Sequence, residues 1–239
     1  MMLMRRNNND NQENYNDAFS LSISDLMAGL MSIFILTICY FILNFSQVTA
    51  QLTQNDIKRA ELLEAVHEEL EKNGIKVTID EEHGILRIPE GVMFDVGRAD
   101  VKPEGQVVVI KLAKALDKTL TSEQFAGSVE TVFIEGHTDN VPINNGIFPS
   151  NWDLSTKRAI NTWLLMGKAA QNLQHLRNKK EQMIFSCSGY ADTRPIADNN
   201  IESGRRENRR IDVRFSMSPP TDEDMSIVKF VRGKMEDYE

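Results

Sequence analysis

Residues Leu21 to Phe45 read LSISDLMAGLMSIFILTICYFILNF, and only one of these twenty-five residues, Asp25, is charged. As an α-helix this run extends roughly 37 Å, against a bilayer core of about 30 Å. It therefore constrains the chain more than any other segment. The rest is polar: of 27 basic and 35 acidic side chains, only Asp25 falls inside the run. A cleaved leader is the competing reading. The apolar part from Leu26 to Phe45 is too long for a leader's hydrophobic region, and no A-x-A site follows it. The expectation is one membrane-spanning helix joined to a polar protein. Arg5 and Arg6 precede the span, while Ser46 to Asn55 carries no charge. This asymmetry places the N-terminus in the cytoplasm and the remainder across the membrane.

Composition narrows the polar part. The chain has 239 residues, 41% of them hydrophobic and 26% charged, so it can bury one ordinary core and is not a disordered polymer. Two cysteines, Cys39 and Cys187, make neither a disulfide framework nor a four-cysteine metal site. A net charge of -8 excludes wholesale nucleic-acid binding. The histidines (His67, His83, His137 and His175) are scattered, with no Ser–His pair and no metal spacing. No catalytic residue, cofactor or metal is expected, and a wall hydrolase is unsupported.

Asp25 has two readings. It can cap the start of the helix at the membrane interface. Alternatively it lies inside, on a packing face. On a 100° wheel Ser24, Asp25, Ala28, Gly29, Ser32 and Cys39 share one side, while Leu26, Leu30, Ile33 and Phe34 lie mostly elsewhere. Ser24, Ala28 and Ser32 form a small-residue row that lets another helix approach closely. An acid on such a face can carry a proton or another small cation, given a partner that walls off the site. The few polar groups beyond Asp25 lean toward protons.

The rest of the chain divides readily. Residues 1–20 form an Asn-rich tail expected to be flexible, 21–45 the membrane helix and 46–74 a linker helix. The linker's Leu63, Val66 and Leu70 stripe either belongs to a solvated connector or pairs with a second copy. Asn73-Gly74 ends it. Residues 75–217 alternate strand and helix. Strands are expected at Lys76–Asp80 and Ile85–Ile88, with a turn at His83-Gly84, then at Val129–Glu135, Met183–Ser188 and Arg210–Phe215. Helices are expected from Pro103 to about Leu120 and from Asp153 to about Arg177. The fold class is an α/β sandwich with helices on one side of a mixed sheet. A charged tail, 218–239, closes the chain.

Three polar motifs sit at element ends. They are Glu135-Gly136-His137-Thr138-Asp139-Asn140, then Asn151, Leu154, Ser155 and Arg158-Ala159, then Gly204-Arg205-Arg206-Glu207-Asn208-Arg209-Arg210. Asp139 and Arg158 suit a ligand bearing both an ammonium and a carboxylate. A cluster of structural salt bridges fits the same spacing. Trp163 is expected to pack, and Trp152 to edge the ligand loop.

These motifs, in this order, resemble the OmpA-like peptidoglycan-binding domain, with Phe94-Asp95 at the domain start a looser match. The resemblance implies binding to the diaminopimelate of cell-wall stem peptides. Asp139 and Arg158 would hold the diamino acid, Thr138, Asn151 and Leu154 the adjoining positions, and Arg209 and Arg210 the closing motif. Joined to one span carrying Ser24-Asp25-Leu26-Met27, the whole is similar to the MotB-type stator family. That implies two copies of this chain inside a ring of five MotA-like subunits, with ions passing through the aspartates. One charge crossing 100 mV is worth about 2.3 kcal/mol. The SISDLMAGLM pattern, the short linker and the acidic Asn-rich tail resemble the MotB-like subunit of the Zorya anti-phage defence system. A flagellar-type stator and a plain membrane-to-wall tether stand as alternatives.

Overall fold

The computed structural model describes residues 3–75 and 77–219, with side chains for 23–46, 53–75 and 77–219. Lys76 and the chain from Pro220 onward, which holds most of the expected charged tail, lie outside the described residues. Two compact units divide after Leu52. Helix α1, Leu3–Lys72, contributes to both.

In the first unit, the tail expected to be flexible is helical from Leu3. No Pro or Gly occurs before Gly29, so nothing there breaks a helix. Asp25 is therefore an interior helical residue and not a cap. Ile23–Ser46 is long and apolar enough to cross a membrane, and its side chains are exposed. The hydroxyls of Ser32 and Thr37 donate to the carbonyls of Ala28 and Ile33, each at 2.8 Å. These polar groups are thus satisfied within the helix, as lipid requires.

The second unit begins at Thr53, well before the expected domain start at residue 75. Its sheet has the order β1-β2-β5-β3-β4, from β1 (Thr78–Asp80), β2 (Ile85–Pro89), β3 (Val129–His137), β4 (Phe185–Gly189) and β5 (Arg210–Met217). All neighbours are antiparallel except β3 and β4. Alternation sorts the strands' side chains. Leu86, Ile88, Val132, Ile134, Ile211, Val213 and Phe215 enter the core, and Arg87, Glu135, Asp212 and Arg214 take the opposite face. The expected mixed sheet with helices packed on it is the fold observed.

Among the described residues four α-helices follow α1: α2 (Glu90–Met93), α3 (Pro103–Leu120), α4 (Asn151–Ala169) and α5 (Glu202–Asn208). Helix α3 starts on Pro103 and ends at Leu120 as its sequence predicts. Helix α4 stops earlier than expected. Ala170 leaves helical geometry and a 3-10 turn, Gln171–His175, buries Leu173 in the core. Trp163 stacks on Phe185 with centroids 4.4 Å apart, a packing role, and Trp152 is exposed.

The linker stripe corrects both of its readings. Leu62, Leu63, Val66 and Leu70 have no exposed surface and join the core of their own domain. Lys118 reaches Glu69 at 2.8 Å, and Lys111 donates to the Asn73 carbonyl at 2.5 Å. The helix end is a Schellman turn. Ile75 N–H donates to Leu70 O, Gly74 N–H donates to Glu71 O, and Gly74 has φ +75°. Leucine recurs at i, i+7 because this half-helix is the third helix of the sandwich.

One close approach sets the position of α4. Gly136 and Gly189 are partners across β3 and β4. A Cβ on Gly136 would lie 2.1 Å from Ser155 O, and one on Gly189 2.2 Å from Thr156 Oγ1. The first turns of α4 therefore rest on bare backbone at the end of the sheet. Leu70→Ala should cost about 2–5 kcal/mol in denaturant unfolding of the full chain. A loss under about 0.5 kcal/mol, typical of exposed positions, would show that this half-helix is not core.

Candidate functional site

The three motifs converge at the end of the sheet above that contact. Asp139 lies in the loop after β3, Asn151 and Arg158 on α4, and Arg209 at the end of α5. They line one cavity of about 460 Å³ with Glu90, Thr138, Leu154, Glu202 and Arg205.

Ser150 caps α4, its hydroxyl accepting from Asp153 N–H. The Asn151 side chain then braces the loop. Its oxygen accepts from Ile143 N–H at 3.3 Å, and its amide donates to the carbonyls of Asp139 (3.3 Å) and Val141 (3.0 Å). Thr138 is fixed by its backbone, which donates to Ala191 O at 2.8 Å, and its hydroxyl turns to the Asp139 carbonyl. Leu154 packs with Ala99 and Phe148 beneath the loop. Asn151, Thr138 and Leu154 thus shape the cavity, while Asp139 and the arginines supply charge.

Arg158 is 2% exposed and among the largest fully buried side chains. Nε donates to Arg98 O at 2.8 Å, Nη2 to Asp95 O at 3.3 Å, and Nη1 lies 2.6 Å from Glu90 Oε2. The Phe94 ring packs 5.1 Å from the guanidinium carbon. Phe94-Asp95 therefore serves this site through a ring and a carbonyl. Burial pulls the Arg158 guanidinium below its ordinary range and pushes the Glu90 carboxyl up. Asp139 accepts from Val141 N–H at 3.1 Å and pairs with Arg209 Nη1. Arg209 Nη2 also meets Glu202 Oε1 at 2.9 Å, and Arg205 Nε meets Glu202 Oε2 at 3.0 Å. Three acids and three arginines thus neutralise one another around a cavity, so opposite charges line it side by side.

Arg210 is not brought to this cavity. Strand alternation sends it to the other face, where it meets Asp212 at 3.0 Å and the carbonyls of Asn208 and Arg194 at 3.2 Å. Sequence reading missed Glu90, Glu202 and the helical form of α5, and named Arg205 only as a member of the third motif. The Glu202–Arg205 spacing of three is the available signal for the last. Glu90 gives none, because its role depends on the crossing of chain segments sixty-eight residues apart. Among the described residues no three His, Cys, Asp or Glu side chains gather as metal ligands. Cys187 is half-buried against the Ala159 carbonyl, and burial raises its thiol to about 11, an unreactive setting for an interchain bridge.

His137 ends β3, 2% exposed and stacked on Tyr190 at 5.4 Å. Burial, aided by Arg210, Arg194 and Arg87, lowers its imidazole to about 3. Its neighbour Asp212, whose carboxylate lies 3.4 Å away, is pushed by burial up to about 6 against the pull of Arg210 and Arg87.

Residues 93–209 match the OmpA family model. Motility protein B of Bacillus subtilis is 35% identical over 129 residues, 54% of this chain and 43% of that protein. The chain thus spans less than half the length of that relative. Among solved structures, the cell wall anchor of the T6SS from Pseudomonas aeruginosa is 26% identical with a TM-score of 0.50, covering 64% of this chain and 97% of that one. A protein described as MotB like, from Desulfovibrio vulgaris, shares the fold at TM-score 0.54 and 21% identity, covering 70% of this chain and 98% of that one.

The buried pair on the sheet's outer face predicts opposed acid responses. His137 is held neutral, so its contribution is present above about pH 6.5 and lost as pH falls toward 3. Asp212 contributes below its ordinary value of 3.8 and loses that contribution as pH rises through about 6. His137→Asn removes only the first. Its melting temperature should gain on the parent's as pH is lowered from about 7 to about 4. A difference that stays constant or moves the other way contradicts this assignment.

Proposed function

We propose that this chain is a single-pass inner-membrane protein that grips the cell wall and carries a small cation on Asp25, as the MotB-type stator subunit of a rotary motor. The observation that carries the wall-binding half is the cavity in which Asp139 and Arg158 meet Arg209 and Glu202. A diaminopimelate residue in a stem peptide offers one free ammonium and one free carboxylate. Asp139 would take the ammonium from Arg209, and Arg158 the carboxylate. The match of residues 93–209 to the OmpA family and the likeness to a wall anchor and to a motility protein support the same ligand.

Ion transfer rests on Asp25, an interior residue of an apolar helix with small residues beside it. A MotA-like polytopic partner and a second copy of this chain would enclose it, with protons the favoured cargo. The N-terminus would then be cytoplasmic and the sandwich periplasmic. The setting in Zorya-type anti-phage defence rests on the SISDLMAGLM pattern, the short linker and the acidic, Asn-rich tail.

Two substitutions separate the halves. Asp139→Asn keeps shape and should weaken retention on purified sacculi about tenfold or more, with little change in melting temperature. Wild-type retention by this variant would sink the ligand assignment. Asp25→Asn should abolish ion-dependent function in cells while leaving sacculus binding intact. If function survives, the chain is a tether like the wall anchor it resembles.

A further inference from the structure

Glu90 has no counterpart in the motifs and lies just outside the matched segment, yet it lines the same cavity. It is 5% exposed and opens the four-residue helix α2, its N–H donating to Arg209 O at 3.0 Å. Arg158 commits two of its three nitrogens to neutral backbone carbonyls that the chain holds in place. Only Nη1 meets a charge, Glu90 Oε2 at 2.6 Å. Oε2 is buried and has no donor beyond this ion pair. A carboxylate so placed has lost its water without gaining a full set of donors.

We propose that Glu90 is a built-in competitor for the ligand, its carboxylate holding the guanidinium edge that the carboxylate of a diamino acid must take. This inference rests on the zwitterion reading of the cavity. Binding then exchanges one anion for another on Arg158, and the gain is the difference between the two contacts. Glu90 is faced by Arg158 from α4, by Arg209 from the end of α5 and by Asp139 from the loop after β3. Burial outweighs the two cations, and Asp139 adds repulsion, so the carboxyl gains a proton more readily than an exposed glutamate. Once protonated, it no longer opposes an incoming carboxylate. Ligand affinity therefore rises on mild acidification.

Calorimetric titration of the full chain in detergent micelles with free meso-diaminopimelic acid tests this from about pH 7.5 to about pH 5. The wild type should bind several-fold more tightly at the acid end. Glu90→Gln should bind about tenfold more tightly at pH 7.5 and show a flat profile. Asp212 titrates in the same window and remains in the variant, so a Glu90→Gln profile as steep as the wild type's overturns the competitor role. Weaker or unchanged binding by Glu90→Gln, with Asp139→Asn still defective, overturns the competitor role and leaves the ligand assignment standing. Absence of binding by the wild type at every pH overturns both. Should Glu90→Gln not fold, the wild-type profile decides: affinity that is flat or falls on acidification refutes the proposal.

Discussion

A guanidinium ion sealed inside the domain is the constraint around which the binding end is arranged. Arg158 reaches from α4 into the loop after α2 and takes two carbonyls there, with the Phe94 ring laid against it. Burying such a group alone is prohibitive, so its partners must arrive with the fold. The loop 94–99, the start of α2 and the first turns of α4 are thereby locked in one geometry. Asn161 adds a bond to Ala99 O at 2.7 Å on the same seam. Binding capacity and local stability therefore share a side chain, and substitutions at Arg158 report on both.

The apolar half of α1 is the second organising element. A helix whose early part is exposed and fit for lipid, and whose later leucines fill a protein core, belongs to two solvents. The boundary at Thr53 follows from this burial, since the core claims the helix from Leu62 onward. The linker is thus shorter than its composition suggests, and the sandwich domain includes residues upstream of the segment matched to the OmpA family.

Much of this was legible in the residues. The strands around Ile85–Ile88, Val129–Glu135 and Arg210–Phe215 alternate cleanly, and Pro103 marks the start of α3 to the residue. Asp139, Arg158 and Arg209 do line one cavity. Where reading failed, the cause was tertiary. The Leu63, Val66 and Leu70 stripe has the period of a coiled coil, and period alone does not name the surface that receives it. Arg209 and Arg210 are equivalent in the string, but a strand begins between them and sends them apart. Glu90 followed no motif because its importance comes from a contact with a distant helix. The end of α4 has Gly167 inside its last turn but no Gly or Pro just past it, and the helix stops where Leu173 enters the core.

The seat of α4 on Gly136 and Gly189 has an evolutionary consequence. The cavity is floored by bare backbone and by the capped first turn of a helix, while the rim between Asn140 and Pro149 is joined to that frame by the Asn151 side chain and by Phe148 packed on Leu154. The frame is fixed by backbone contacts, and the rim is joined to it by side chains. Exposed rim positions such as Val141 and Ile147 can therefore change, and the mouth of the cavity with them, without asking the sheet or the helix to move.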